Sequence, residues 1–323
     1  MPTRPLGTSE VAATTVIFGT WQAGKRGWDN IDDAESIAAM RAALAAGVTT
    51  FDTAEIYGDG HSERVVAQAL ASDRDRVQLL TKVFPNHLRH DDVLAACDRS
   101  LRNLQTEVID LYQIHWPAGS FGTEAVPIGE TMAALNLLKE QGKIRAIGVS
   151  NFSLAQLQEA ERYGRIDTVQ PPYSLFWRQV EKELIPYCGE RQISVLAYSP
   201  LAQGLLAGRY RGGDRPAATE FRAKHRLFAP EPYARVQRAL DGLEPIAQNL
   251  GLSVGNMALA WLVAAGRLRA SVHAIVGART AAQAIENAQA ASVTLTAETL
   301  AAIESLGRIV TDGLGDDPLA WDL

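Results

Sequence analysis

Short apolar runs alternate with segments of helical period along most of the chain. Thr15-Val16-Ile17-Phe18-Gly19 reads as a strand, followed by a helix from Asp32 to Ala46 that Gly47 stops. Val48 to Asp52 leads to a helix from Ser62 to Ala71, and Val77 to Lys82 to one from Asp91 to Leu104. Ile109 to Ile114 precedes a helix from Ile128 to Gln141, and Ile144 to Val149 precedes one from Leu154 to Tyr163. Ile166 to Val169, a helix near Glu181 to Arg191, Ile193 to Ala197 and a late strand at His273 to Val276 complete the alternation. Helix-like stretches at Tyr233 to Leu250 and Val254 to Ala264 fill the gap before that last strand. Eight strands with intervening helices fit a (β/α)8 TIM barrel. A doubly wound sheet needs fewer strands and an early glycine fingerprint.

Arg4-Pro5-Leu6-Gly7-Thr8 is expected to form a small hairpin plugging the barrel floor. Two connections, Trp116 to Pro127 after the fourth strand and Leu201 to Pro230 after the seventh, exceed ordinary loop length and read as binding loops or lids. No linker or change in charge density divides the 323 residues, so one domain over 1–323 is expected.

Charge narrows the partners. Lys and Arg number 31 against 37 Asp and Glu, a formal net charge of −6, which is the wrong sign for gripping a phosphate backbone. No apolar run approaches the length of a membrane helix, and the chain reads as cytoplasmic. Cys97 and Cys188 are too few to staple a chain of this size and read as buried thiols. No metal site is expected.

The polar residues fall where the strands end: Asp52, Lys82, His115, Ser150 with Asn151, Gln170, and Tyr198 with Ser199. Barrel enzymes build their sites on the carboxyl face, so these residues, distant in sequence, converge there. Taken singly, a strand-end Asp, Lys or His is more often a satisfied rim residue. Together they describe proton chemistry. Tyr57, five residues beyond Asp52, can lean over the mouth. A Lys82 ammonium nearby is expected to lower its phenol pKa, with Asp52 pairing Lys82 and a neutral His115 orienting a carbonyl oxygen.

These residues resemble the aldo-keto reductase family, in its bacterial and Kv-β-like branches, over nearly the whole chain. Phe51-Asp52-Thr53-Ala54-Glu55-Ile56-Tyr57-Gly58, Asp110-Leu111-Tyr112-Gln113-Ile114-His115-Trp116-Pro117 and Gly148-Val149-Ser150-Asn151-Phe152 carry the likeness. Tyr198-Ser199-Pro200-Leu201 and Val276-Gly277-Ala278-Arg279-Thr280 resemble its cofactor segments. The resemblance implies that Tyr57 is the proton donor, tuned by Lys82 and Asp52, and that His115 orients the substrate. It further implies that Ser150, Asn151 and Gln170 bind a nicotinamide carboxamide, Tyr198 stacks on the ring, Leu201 lies along the pyrophosphate, and Ser199 is among the cofactor-binding residues. Gly277 and Arg279 would meet a ribose 2′-phosphate, with Gln283, Glu286 and Asn287 near adenine. Arg279, a planar fork suited to phosphate, favours NADP(H) over NAD(H).

Trp21, Trp28, Trp116 and Trp177 lie near strand ends, either walling a substrate pocket or filling core and rim; Trp21 and Trp116 are the candidates for substrate contact. Gly58-Asp59-Gly60 imitates the start of a dinucleotide fingerprint, but Glu63 replaces the third glycine. His87 and His90 have no third ligand beside them and read as a solvated loop. The expected function is NADP(H)-dependent reduction of aldehydes or ketones, or in reverse the oxidation of sugars or polyols, on small-molecule substrates with neither nucleic acid nor membrane as partner. The alternative is a redox-sensing binding protein like the Kv β subunits, with slow turnover. Long loops and the tail after Ile309 would set specificity.

Overall fold

The computed structural model describes residues 1–264 and 266–314. Strands β1 (Thr3–Pro5) and β2 (Ala12–Thr14) pair antiparallel, with Thr3 opposite Thr14 and Pro5 opposite Ala12. This is the expected hairpin. Eight parallel strands then close a barrel: β3 (Val16–Gly19), β4 (Thr50–Asp52), β5 (Gln78–Val83), β6 (Ile109–Ile114), β7 (Ile144–Ser150), β8 (Thr168–Gln170), β9 (Ser194–Ala197) and β10 (Val272–Val276), with β10 pairing β3. The fold is a (β/α)8 TIM barrel.

Helices α1 (Asp33–Ala45), α2 (His61–Leu70), α3 (His90–Leu104), α4 (Ile128–Glu140), α5 (Leu154–Ala160) and α6 (Leu184–Arg191) follow β3 to β8 in turn. After β9 come α7 (Pro230–Asn249) and α8 (Val254–Val263), and after β10 come α9 (Ala281–Gln289) and α10 (Ala297–Thr311). Helix α8 covers β10, whereas α7 and α10 pack on each other outside the ring. Local chemistry sets the helix starts: Asp32 caps α1 by accepting from the Glu35 amide, and Ser153 forms a reciprocal capping box with Gln156. No single helix among the described residues is long and apolar enough to cross a membrane. Of the tail beyond Ile309, Val310 and Thr311 finish α10, and residues 315–323 lie outside the described residues.

One apolar cluster lies inside the barrel: Leu6, Val11 and Ala13 of the hairpin region meet Ile17, Leu80, Leu111, Ala146, Leu196 and Ile275. The hairpin thus closes the floor. Gly7 makes this possible, because at φ +60° a β-carbon there would stand 2.6 Å from the Asp167 carbonyl oxygen, and its amide donates to Ser194 Oγ at 2.9 Å. Side chains alternate across a strand, so the residues two positions beyond Leu80 and Leu111, Lys82 and Gln113, point into the same interior one layer higher. The polar site stands on this apolar floor.

Candidate active site

Asp52 ends β4, Lys82 is the penultimate residue of β5, and His115 follows β6. Lys82 Nζ donates to Asp52 Oδ1 at 2.6 Å and to the Thr53 carbonyl at 2.7 Å. The other carboxylate oxygen, Oδ2, accepts from Gln170 Nε2 at 3.0 Å and Gln113 Nε2 at 3.4 Å. The Lys82 side chain is wholly buried and that of Asp52 is 4% exposed. Burying an ion pair is unfavourable unless each charge is paired and its remaining valences are satisfied, and here both conditions hold. Gln113 makes this network possible, and the sequence reading missed it, although the two-residue alternation from Leu111 marks it as inward-facing.

Behind the pair lies a cluster of buried hydroxyls. Ser62 Oγ on α2 meets Thr20 Oγ1 at 2.8 Å and Thr53 Oγ1 at 2.9 Å, and donates to the Thr20 carbonyl at 3.0 Å. This braces the backbone whose carbonyl holds Lys82.

Tyr57 comes over the mouth on the loop after β4. Lys82 Nζ is 5.3 Å from its ring centroid, and the His115 ring stands edge-on at 5.7 Å. Two glycines fix that position. A β-carbon on Gly24 would be 2.7 Å from the Tyr57 carbonyl carbon, and one on Gly58, at φ +64°, would be 2.4 Å from the Gly24 carbonyl oxygen. The Gly58-Asp59-Gly60 run therefore has a backbone reason. Two residues before Tyr57, Glu55 ties the same loop to the end of β5: it accepts from the Phe84 amide at 2.8 Å, lies 3.0 Å from His87 Nδ1, and pairs with Arg99 Nη2 at 3.1 Å. His87 is a member of this latch, not a free loop side chain, and neither Phe84 nor Arg99 was visible as a site residue in the sequence.

The electrostatics correct one expectation. Burial holds the Tyr57 phenol well above its ordinary pKa, and Asp52 and Tyr198 push it the same way. Lys82 does not reverse this, because its ammonium is itself buried and its charge is spent on Asp52; burial draws the Lys82 pKa down while Asp52 opposes that. His115 is held well below the ordinary imidazole range by burial and by Lys82, so it is neutral as expected.

On the other side of the mouth, Ser150 Oγ donates to the Gln170 carbonyl at 2.8 Å, and Asn151, at φ +61°, donates to the His115 carbonyl at 3.0 Å and accepts from the Tyr198 hydroxyl at 2.8 Å. Gln170 directs its amide to Asp52, not to the rim. Ser199, at φ +52°, accepts from Gln203 Nε2 at 3.0 Å, and Leu201 is partly buried against the core. After β10, the Arg279 amide donates to Gln283 Oε1 at 2.8 Å and Asn287 Nδ2 to the Gly277 carbonyl at 3.3 Å. Glu286 instead accepts from Ser253 Oγ at 2.6 Å, at the start of α8.

Aromatic rings wall the rim. Trp21 stands 6.4 Å from Tyr57 and 5.1 Å from Trp28, and Phe84 stands edge-on to His115 at 5.8 Å. Phe121 stacks on Phe84 at 5.7 Å and meets Trp116 at 5.1 Å. Trp177 belongs to the core, against His225.

The model of the Aldo/keto reductase family matches residues 15–308. The chain belongs to the aldo/keto reductase family. This aldo/keto reductase is 35% identical over 264 residues to aldo-keto reductase YhdN of Bacillus subtilis, covering 78% of each chain. It is also 35% identical over 300 residues to methylglyoxal reductase YeaE of Escherichia coli, covering 92% of each. Among solved structures it superposes on the glycerol dehydrogenase of Gluconobacter oxydans with a TM-score of 0.87 at 31% identity, over 98% of both chains. An aldo-keto reductase from Klebsiella pneumoniae in complex with NADPH matches over 99% of both at 31% identity, with a TM-score of 0.76.

Proposed function

We propose that this aldo/keto reductase reduces an aldehyde or ketone to an alcohol with NADP(H), taking the proton from Tyr57. The observation that carries the reading is the fully buried Asp52–Lys82 pair beneath a Tyr57 phenol that has a neutral imidazole, His115, on its edge. A nicotinamide cofactor held on this rim supplies the hydride.

The rim fits such a group. Trp28 Nε1, His115 Nδ1 and Arg279 Nη2 are buried polar atoms without a hydrogen-bond partner, and Asn151 and Ser199 keep left-handed backbone conformations beside the mouth. Asn151, Ser150, Tyr198, Ser199, Leu201, Gly277 and Arg279 would hold it. Gln283 and Asn287 support that segment through the backbone of Arg279 and Gly277.

Negative charge develops on the substrate's carbonyl oxygen during reduction, and Tyr57 and His115 stabilise it by hydrogen bonding in a site that excludes water. A phenol whose pKa stands above its ordinary value stays loaded with its proton at neutral pH, and an alkoxide is basic enough to take it. Asp52, Gln113 and Gln170 hold the Lys82 ammonium beneath the Tyr57 ring, where the ion pair fixes the floor on which the phenol is positioned. Trp21 and Trp116 would flank the substrate. The likeness to an NADPH complex favours NADP(H), and the likeness to a glycerol dehydrogenase favours polyol oxidation as the reverse direction.

The test follows oxidation of NADPH, and separately NADH, with an activated aromatic aldehyde. Tyr57→Phe is expected to lower turnover by about 100- to 10,000-fold, the usual worth of a positioned general acid, with NADPH binding retained. A Tyr57→Phe enzyme as fast as wild type would remove Tyr57 from the mechanism. Tight NADPH binding with negligible wild-type turnover would move the reading to a cofactor-sensing protein.

A further inference from the structure

A cluster of arginines gathers away from Tyr57, where three connections meet. Arg209 and Arg222 come from the segment after β9, Arg279 from the segment after β10, and Trp28 from the segment after β3. The Arg222 guanidinium lies 5.0 Å from the Trp28 ring centroid and 5.5 Å from that of Tyr210. Arg279 lies 5.5 Å from Trp28, and Arg209 lies 5.6 Å from Tyr210. Glu220 answers them: one carboxylate oxygen accepts from Arg222 Nε, and the other is 3.9 Å from Arg209 Nη2. Thr219 Oγ1, next to Glu220, donates to Asp29 Oδ2 at 3.1 Å, so the segment carrying Glu220 reaches across to the β3 side of the rim.

This arrangement is unbalanced in charge and in hydrogen bonds. Three guanidiniums face one carboxylate, and burial together with Arg209 and Arg222 draws the Arg279 pKa down. Arg222 is 8% exposed, yet its Nη2 has no hydrogen-bond partner, and Arg279 Nη2 is in the same position. A buried unsatisfied donor on a charged group is unfavourable, and a pair of them beside an excess of positive charge calls for an anion with more oxygens than a carboxylate has. A phosphomonoester brings three acceptor oxygens and about −1.5 to −2 charges at neutral pH, and the guanidinium fork matches it.

We propose that Glu220 sits in a phosphate site built by Arg209, Arg222 and Arg279 and competes for it with the 2′-phosphate of NADP(H). Glu220 is then an internal rival that sets how strongly the phosphorylated cofactor is preferred to the unphosphorylated one. The inference rests on the cofactor reading above and adds two arginines and a competitor to it. Affinity for the phosphate is the difference between its contacts and the ion pairs that Glu220 gives up, so removing the Glu220 charge strengthens binding of the phosphorylated cofactor while removing Arg222 weakens it.

The experiment is calorimetric titration of the full chain, as wild type, Glu220→Gln and Arg222→Gln, with NADPH, NADH, 2′,5′-ADP and 5′-AMP. Glu220→Gln should tighten NADPH and 2′,5′-ADP by about 3- to 10-fold and leave NADH and 5′-AMP within about twofold. Arg222→Gln should weaken the two phosphomonoesters by about 10- to 100-fold, the range for a hydrogen bond to a charged group, with NADH again little changed. Should Arg222→Gln fail to fold, the half-exposed Arg209→Gln takes its place. The inference is overturned if Glu220→Gln leaves NADPH affinity unchanged or weakens it, which would make Glu220 a brace for the arginines. It is equally overturned if Arg222→Gln shifts NADPH and NADH by the same factor. A wild-type protein that binds neither dinucleotide sinks the cofactor reading itself.

Discussion

Acidification should destabilise this protein in a window to which two buried imidazoles besides His115 contribute. His273 is fully buried on β10, its Nδ1 3.0 Å from the Thr14 carbonyl, and burial lowers its pKa to about 4. His225, nearly buried in the segment after β9, is lowered by burial to about 4 as well. An unfolded histidine titrates near pH 6.5, so on acidification the unfolded chain takes up these protons first. Stability is therefore complete above about pH 6.5, falls as the pH drops below it, and stops falling below the folded value of about 4. Between about pH 7.5 and 5.5 each imidazole costs roughly 1 to 2 kcal/mol, and the pair about 3 kcal/mol, a large part of an ordinary domain's stability.

Urea unfolding of wild type and His273→Gln at both ends of that window measures this. The variant should lose about 1 to 2 kcal/mol of the pH dependence, one imidazole's share, because His115 and His225, also lowered by burial, stay in both proteins. Glu63, whose pKa burial raises, acts in the opposite sense, so the comparison with the variant isolates the imidazole where the wild-type slope alone does not. A variant that keeps the full wild-type dependence would refute the assignment of this loss to His273.

Asp52→Asn strips a buried lysine of its counter-ion and should cost about 3–5 kcal/mol in urea unfolding, with reduction slowed at least as much as by any loosened general acid; a loss below about 1 kcal/mol would mean Lys82 is already uncharged. Because burial raises the Tyr57 pKa, reduction should hold its rate up to about pH 9, and an alkaline decline beginning near neutral pH would show that Lys82 lowers the phenol pKa after all. Gly58→Ala should destabilise by about 1–3 kcal/mol and slow turnover more than it weakens cofactor binding, because its β-carbon meets the Gly24 carbonyl and displaces Tyr57; a variant with wild-type turnover would show that the loop has slack.

Much of the barrel and of the polar site above its floor could be read along the chain because the signals are local. A strand's apolar alternation states which side faces inward, and the first polar residue to break it, such as Lys82 after Leu80, is placed above the apolar layer without any knowledge of its neighbours. What needs spatial neighbours was not legible. Glu55, His87 and Arg99 meet across 44 residues, and nothing in their spacing announces the contact. The Tyr57 pKa was misjudged because a nearby ammonium is visible in a sequence argument whereas burial is not. Strand β8 starts two residues later than its apolar run, at Thr168–Gln170, because the Ile147 amide on β7 donates to the Asp167 carboxylate at 3.3 Å where a backbone carbonyl would otherwise accept. Periodicity also gave α7 as a helix but not that it would pack on α10 outside the ring.

The seam between β3 and β10 joins the first and last strands of the barrel, and this governs how the molecule can be made. Val16 pairs with Ala274, and Arg4 donates to the carbonyls of Val263 at 2.9 Å and Val272 at 3.2 Å, contacts spanning 259 and 268 residues. Loop-closure entropy for such contacts must be met before they return anything, so they form late. A chain emerging from the ribosome can pair β3 to β9 in succession, but its apolar floor stays open until β10 has been synthesised. Truncation within β10 would leave two unpaired parallel edges, β3 and β9, over a floor plug that keeps its Val263 contact but loses the barrel strand above it, and such a form exposes strand edges open to aggregation.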